Sequence, residues 1–208
     1  MLKRGASGEA YRPKFSVLNP ALTQTLPAYQ TACGITDIIA HLYERYLTNT
    51  KNVEVTDRMI EALILAMIQE GPKAVKNSND YDSRANIMWA GMMAHNNSCG
   101  VGRSQDWTSH NIEHELSALY DCAHGAGLAV TMPAVFTYTM KHDVMRFAQI
   151  AVRVWGCHMD VTFGLEKKEC VQTTGHLGTD GTNVNVPPVP CPVTFSMTKL
   201  VLISFQQR

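Results

Sequence analysis

Between residues 28 and 157 the apolar side chains return every third or fourth position, and a chain patterned that way has few folds open to it besides packed helices. From Ala28 to about Leu47, the residues Ile35, Ile38, Ile39, Leu42, Tyr43 and Tyr46 define one face of an amphipathic helix. Pro27 stands where it opens a helix without costing a hydrogen bond. Gly34 inside this stretch costs about 1 kcal/mol relative to alanine, which points to close packing or a ligand beside it. A second helix is predicted from Val55 to Glu70, with Met59, Leu63, Ala66 and Met67 in register and Gly71-Pro72 interrupting it. Others are predicted from Asp82-Ser83 to about Asn96, from Thr108 to Leu119 and from Val144 to Trp155, while Gly125 to Phe136 is apolar with a central proline. No internal repeat is present, so the pattern predicts one all-α domain of helix pairs with short connections rather than a solenoid.

Composition changes at both ends of that region. Residues 1–27 carry Gly5, Gly8, Pro13, Pro20 and Pro27 and read as loop, with Lys14-Phe15-Ser16-Val17-Leu18 as one short extended segment. From residue 161 onward there is no alanine, threonine is common, and Pro187, Pro188, Pro190 and Pro192 cluster. The expected division is a loop lead-in at 1–27, a helical domain at 28–158 and an irregular, unassigned tail at 159–208. At 45% hydrophobic and 17% charged residues, the chain has the material for a core. Its 18 Lys+Arg balance 18 Asp+Glu, which leaves no broad basic surface and weighs against nucleic acid as a partner. No apolar run reaches the ~18–20 residues that span a bilayer, and none follows Met1-Leu2-Lys3-Arg4-Gly5 as a secretory leader requires. Neither a membrane nor an export route is expected. Six cysteines without CxxC spacing read as reduced thiols of a cytoplasmic protein.

Five positions carry chemistry. Asp37 and His41 lie four apart in the first helix, and His110 and His114 four apart in the fourth, so each pair projects from one helix face. His124 follows, immediately before Gly125. Three neutral imidazoles and a carboxylate can hold a divalent ion such as Fe(II) or Zn(II). An i, i+4 pair reaches one ion because its Cβ atoms lie about 5–6 Å apart. The same residues have plainer readings: Asp37 with His41 as an ion pair, and His110 with His114 as a structural pair. Glu113 and Glu115 flank His114, either as partners that orient an imidazole or, more in keeping with their positions, as exposed helix charges. His95, His142, His158 and His176 lack such spacing and read as ordinary polar residues. Arg103 and the Lys3-Arg4 pair read as solvated, and Met59, Met67, Met88, Met92 and Met93 as core filler.

Longer strings narrow these options. Lys14-Phe15-Ser16-Val17-Leu18-Asn19-Pro20 precedes Tyr29-Gln30-Thr31-Ala32-Cys33-Gly34-Ile35-Thr36-Asp37-Ile38-Ile39-Ala40-His41. Asp106-Trp107-Thr108-Ser109-His110-Asn111-Ile112-Glu113-His114-Glu115-Leu116-Ser117-Ala118-Leu119-Tyr120-Asp121 follows, then His124-Gly125-Ala126-Gly127-Leu128-Ala129 and the stretch from Arg146-Phe147-Ala148-Gln149 to Val154-Trp155-Gly156. Over about residues 13–158, in this order, the chain resembles the iron-containing alcohol dehydrogenase family, and within it the butanol dehydrogenase branch. The resemblance implies a dehydroquinate synthase-like helical domain that binds metal through Asp37, His41, His110 and His124. It places His114 near the nicotinamide and the reacting oxygen, as a catalytic and cofactor-contacting residue. The implied reaction is reversible hydride transfer between a primary alcohol, or its aldehyde, and NAD(H) or NADP(H), with Fe(2+) or Zn(2+) on the substrate oxygen. A small alcohol or aldehyde is the implied partner, and a homodimer is compatible with the likeness.

Family members also carry a nucleotide-binding α/β half ahead of this region, with a glycine-rich pyrophosphate turn. Here Gly5-Ala6-Ser7-Gly8 follows no strand and reads as loop, so the expectation is a catalytic half without its nucleotide-binding half. A non-catalytic, metal-binding helical fragment is the alternative. A metal-dependent hydrolase ranks behind both, because no HExxH-type general base is present. From Val161 onward neither likeness nor helical periodicity is expected, and Leu200-Val201-Leu202-Ile203 reads as one strand or an adhesive segment. Apolar helix faces left wet cost about 25 cal/mol per Å², which predicts marginal stability or self-association.

Overall fold

The computed structural model describes residues 5–6 and 8–157, and the described residues are helical with no strand among them. Six α-helices follow in order: α1 Ala28–Tyr46, α2 Glu54–Lys76, α3 Tyr81–His95, α4 Thr108–Tyr120, α5 His124–Thr139 and α6 Val144–Trp155. Lys3-Arg4, His158, His176, the tail at 159–208 and its Leu200–Ile203 run lie outside the described residues. Lys14 to Leu18 forms no strand. It leads instead into a 3-10 turn, Pro20–Thr23, capped by Asn19, whose Oδ1 accepts from the Ala21 amide at 3.1 Å.

The central element is α1, which packs on α2, α3 and α5. Thirteen of its nineteen residues are buried, so it is enclosed on more than the one face that its periodicity predicts. Ile35, Ile39, Leu42, Tyr43 and Tyr46 join Ile60, Ile64 and Met67 of α2, Leu128 and Met132 of α5 and Ile150 of α6 in a single core. Each such side chain contributes roughly 1.5–3 kcal/mol by leaving water. Gly34 is exposed, and a Cβ built there would meet nothing within 4 Å. The close packing expected at Gly34 is supplied from the opposite helix: a Cβ on Gly125 of α5 would fall onto the Cys33 backbone carbonyl.

Helix α2 does not stop at Gly71-Pro72 but runs through it to Lys76. The buried residues Ile60, Ile64, Met67, Gly71 and Ala74 keep one three-and-four-residue stripe across the proline, and that burial holds the helix together where local propensity would end it. Gly71 is part of the fit, since a Cβ there would press on Ile35 Cγ2 at 3.2 Å. Pro133 is likewise carried inside α5, beneath the buried residues Leu128, Met132 and Phe136. Helices α3 and α6 open on side-chain caps: Asp80 Oδ1 accepts from the Ser83 amide and Asp143 Oδ1 from the Arg146 amide, both at 3.0 Å. Gly156, at φ 67°, closes α6 in the left-handed conformation.

A buried ionic cluster fastens α2 to α6. Asp57 accepts from Arg146 Nη1 and Nη2, each at 2.6 Å, from Gln149 Nε2 at 3.1 Å and from Arg103. The Arg146 guanidinium also lies 3.8 Å over the Tyr46 ring, whose hydroxyl donates to Glu61 at 2.7 Å. Arg103 is therefore not solvated as its sequence setting predicts. It is buried because Asp57 at the start of α2 offers an enclosed countercharge, a partner 46 positions away.

Candidate metal centre

The centre is built where α1 meets the N-terminal ends of α4 and α5. One helical turn separates Asp37 from His41 on α1, and both side chains face the same way. His110 sits in the first turn of α4, and His124 is the first residue of α5. Around Asp37 Oδ1 stand three ring nitrogens: His110 Nε2 at 3.3 Å, His124 Nε2 at 3.5 Å and His41 Nε2 at 3.6 Å. The structure thus brings together all four residues singled out as a ligand set. The half-buried Trp107 ring closes one side, with ring centroids 5.1 Å from His41 and 5.2 Å from His110.

Two buried glutamates stand behind the imidazoles. Glu44 Oε2 takes the hydrogen of His110 Nδ1, and Glu113 Oε2 that of His124 Nδ1. A carboxylate only accepts, so each Nδ1 carries a hydrogen and each ring turns Nε2 toward Asp37, as a donor while it holds a proton and as a ligand once a cation replaces that proton. Glu44 Oε1 also accepts from the backbone amides of Ser109 at 2.6 Å and His110 at 3.3 Å, tying the start of α4 to α1. Glu113 is fully buried, against the expectation of an exposed helix charge, because Gly127 lets α5 press onto it: a Cβ there would stand 2.6 Å from Glu113 Oε1. Glu115 is exposed, as expected.

Electrostatics follow from this arrangement. Burial works to raise the Asp37 carboxyl, but hydrogen bonds with His110, His124 and His95 and the field of His41 hold it well below the usual carboxylate range. Burial disfavours charge on His110, yet Asp37 and Glu44 push it up to about 9. His124 is raised by its bond to Asp37, against burial, with help from Glu113. His41 is lowered to about 3, by burial and then by the neighbouring His95, with His110 and Arg45 adding to it. The raised His110 and His124 hold positive charge against Asp37 Oδ1, while His41 stays unprotonated. A cation that displaces those protons would meet three imidazole nitrogens and one carboxylate, with two carboxylates behind them, a donor set that fits a divalent first-row ion.

His114 is exposed beside this cluster, its ring stacked at 5.1 Å on His124 and 6.2 Å from His110. Two further members, His95 and Glu44, lie outside the expected set. His95, at the end of α3, places Nε2 3.3 Å from Asp37 Oδ2, and only the packing of α3 on α1 brings it there. Glu44 did leave a signal, since positions 37, 41 and 44 share one helical face.

The model of the Fe-containing alcohol dehydrogenase family, C-terminal part, matches residues 31–177. The chain belongs to the iron-containing alcohol dehydrogenase family. The family match continues past Val161, so the likeness extends further than the residue strings carry it. NADH-dependent butanol dehydrogenase B of Clostridium acetobutylicum is 45% identical over 145 residues, which cover 69% of this chain and 37% of that protein. NADPH-dependent aldehyde reductase YqhD of Escherichia coli is 40% identical over 144 residues, covering 69% and 37%. The solved structure of NADH-dependent butanol dehydrogenase A from Thermotoga maritima superposes with a TM-score of 0.71 at 35% identity, over 74% of this chain and 39% of that one. The chain therefore spans about two-fifths of the length of these family members and corresponds to their helical C-terminal part. No described helix is long and apolar enough to cross a membrane.

Proposed function

We propose that this chain is the metal-holding half of an NAD(P)-dependent alcohol dehydrogenase, or aldehyde reductase, with Asp37, His41, His110 and His124 as the protein ligands to iron or zinc. The observation that carries the reading is the convergence of three imidazole Nε2 atoms within 3.6 Å of one carboxylate oxygen, Asp37 Oδ1. A bound divalent ion supplies Lewis acidity, which favours alkoxide over alcohol and polarises an aldehyde carbonyl. Glu44 and Glu113 keep His110 and His124 in the Nδ1-H tautomer and so present Nε2 inward. Trp107 shields the His41 and His110 side of the centre from water. His114, exposed beside His124, takes up the alcohol proton and passes it to solvent. The substrates are small primary alcohols and aldehydes, and a nicotinamide nucleotide exchanges the hydride with them beside His114. The setting is cytoplasmic, in keeping with the free thiols of Cys33, Cys99, Cys122 and Cys157.

A second reading, a metal-binding unit without turnover of its own, is favoured by one observation: the described residues contain no strand–turn–helix cradle for a pyrophosphate. Metal analysis of anaerobically purified protein tests the first step of both. One equivalent of Fe or Zn, absent from His110→Ala, is expected, and metal-free wild-type protein would overturn both. Oxidation of NADH with butanal by the chain alone then separates them: turnover would overturn the second reading. No turnover alone, but turnover after addition of a separate nucleotide-binding half, is the expected result.

A further inference from the structure

We infer that His95 is a fifth protein ligand to the ion held by Asp37, His41, His110 and His124; the inference rests on the metal reading above. The ring of His95 is oriented from both ends. Nδ1 lies 2.7 Å from the Gly91 carbonyl oxygen, one turn back on α3. A carbonyl only accepts, so Nδ1 carries a hydrogen and Nε2 is the ring atom left for Asp37. Nε2 stands 3.3 Å from Asp37 Oδ2. A proton holds that pair together when no metal is bound, and a cation shared with Asp37 takes the proton's place when one is.

The neighbours point the same way. Donor atoms of Asp37, His41 and His95 lie within 4.8 Å of one another, as do those of Asp37, His110 and His124. The two trios share Asp37. The His41 and His95 rings stand 3.9 Å apart between centroids. The fold places His95 there through Gly91: a Cβ at that position would meet Ile38 Cδ1 at 3.2 Å, so the missing side chain lets α3 settle onto α1 beside Asp37. The same glycine lends its carbonyl to the ring.

The consequence is chemical. Five protein donors suit an ion that takes six ligands, and leave one position for a substrate oxygen. Zinc in closed protein sites settles at four, so the extra imidazole favours Fe(II) over Zn(II).

Co(II) added anaerobically to the full 208-residue chain reads out the ligand set through its visible absorption, which strengthens as coordination number falls. Wild type, His95→Gln, His95→Ala and His110→Ala are compared, with far-UV circular dichroism as the control for folding. Wild type is expected to take one equivalent, and His110→Ala to lose it. Both His95 variants are expected to keep one equivalent with stronger visible absorption. Their Co(II) dissociation constant should rise by about tenfold or more, since partners that only orient ligands already cost about 10–100-fold. A spectrum and dissociation constant unchanged in both variants would overturn the inference and leave the four-residue site standing. A second equivalent that disappears with His95 would overturn the single-ion form. Failure of wild type to bind, or binding untouched by His110→Ala, would overturn the metal reading itself.

Discussion

Glu113 shows how much a single side chain behind the centre does. It is fully buried, takes the hydrogen of His124 Nδ1 through one oxygen, and is pressed by Gly127 on the other. Burying a carboxylate is costly unless it is bonded, and here the bond also decides which nitrogen of His124 faces Asp37. Glu113→Gln keeps the shape while weakening that acceptor. Metal affinity, measured by competition with a chelator, is expected to fall by about 10–100-fold with the fold unchanged. A variant that binds as wild type does would reduce Glu113 to a packing role. Gly125 is constrained by space rather than by conformation. Gly125→Ala drives a methyl onto the Cys33 carbonyl and should lower unfolding stability by about 1–3 kcal/mol, measured in urea.

At the scale of elements, α2 and α5 each carry a proline that their burial outvotes. Pro72 is exposed while Gly71 and Ala74 on either side of it are buried, so the proline supplies no core contact to offset its missing N–H. Replacing it with alanine restores a helical hydrogen bond. Pro72→Ala is expected to raise stability by roughly 1–3 kcal/mol in urea unfolding, and no gain would mean that α2 has already relaxed around the ring. The helix ends matter for a different reason. His110 and His124 sit in first turns, where backbone amides are unpaired, and Glu44 satisfies two of those of α4 while also holding the His110 ring. One residue of α1 thus caps a second helix and aims its histidine.

For the molecule as a whole, the Asp57 cluster with Arg103, Arg146 and Gln149 is the long-range tie between α2, α6 and the segment ahead of α4. Burial works to raise the Asp57 carboxyl, but Arg146 and Arg103 hold it below its ordinary value. A depressed carboxylate stabilises the fold above the unfolded value, and that contribution is lost as pH falls through the lower folded one. Acid unfolding should therefore begin below the ordinary carboxylate range. Asp57→Asn, which strands two guanidinium groups, should cost about 3–5 kcal/mol at neutral pH and flatten the acid limb. Equal pH profiles for the two proteins would dismiss the cluster as a stabiliser. The outer surface carries Leu119, Tyr120, Val130 and Tyr138, each more than 70% exposed. Sedimentation is expected to show self-association that grows with concentration.

The amino-acid order by itself determined that the chain is helical and where five of the six described helices begin to within a residue or two, and its family likeness singled out the three histidines that gather at Asp37. Those are local matters: periodicity, caps and i, i+4 spacing act over a turn or two, and the uncommon strings around Asp37, His110 and His124 carried the family. Tertiary structure decided what depends on partners distant in sequence. Whether α2 survives Pro72 depends on a stripe sealed by α1, and whether Arg103 is buried depends on Asp57. Whether Glu113 is a surface charge or a support for His124 depends on how near Gly127 lets α5 come. His95 has no spacing to announce it. Its place beside Asp37 comes from the approach of α3 to α1 at Gly91, a distance in space that no stretch of sequence contains.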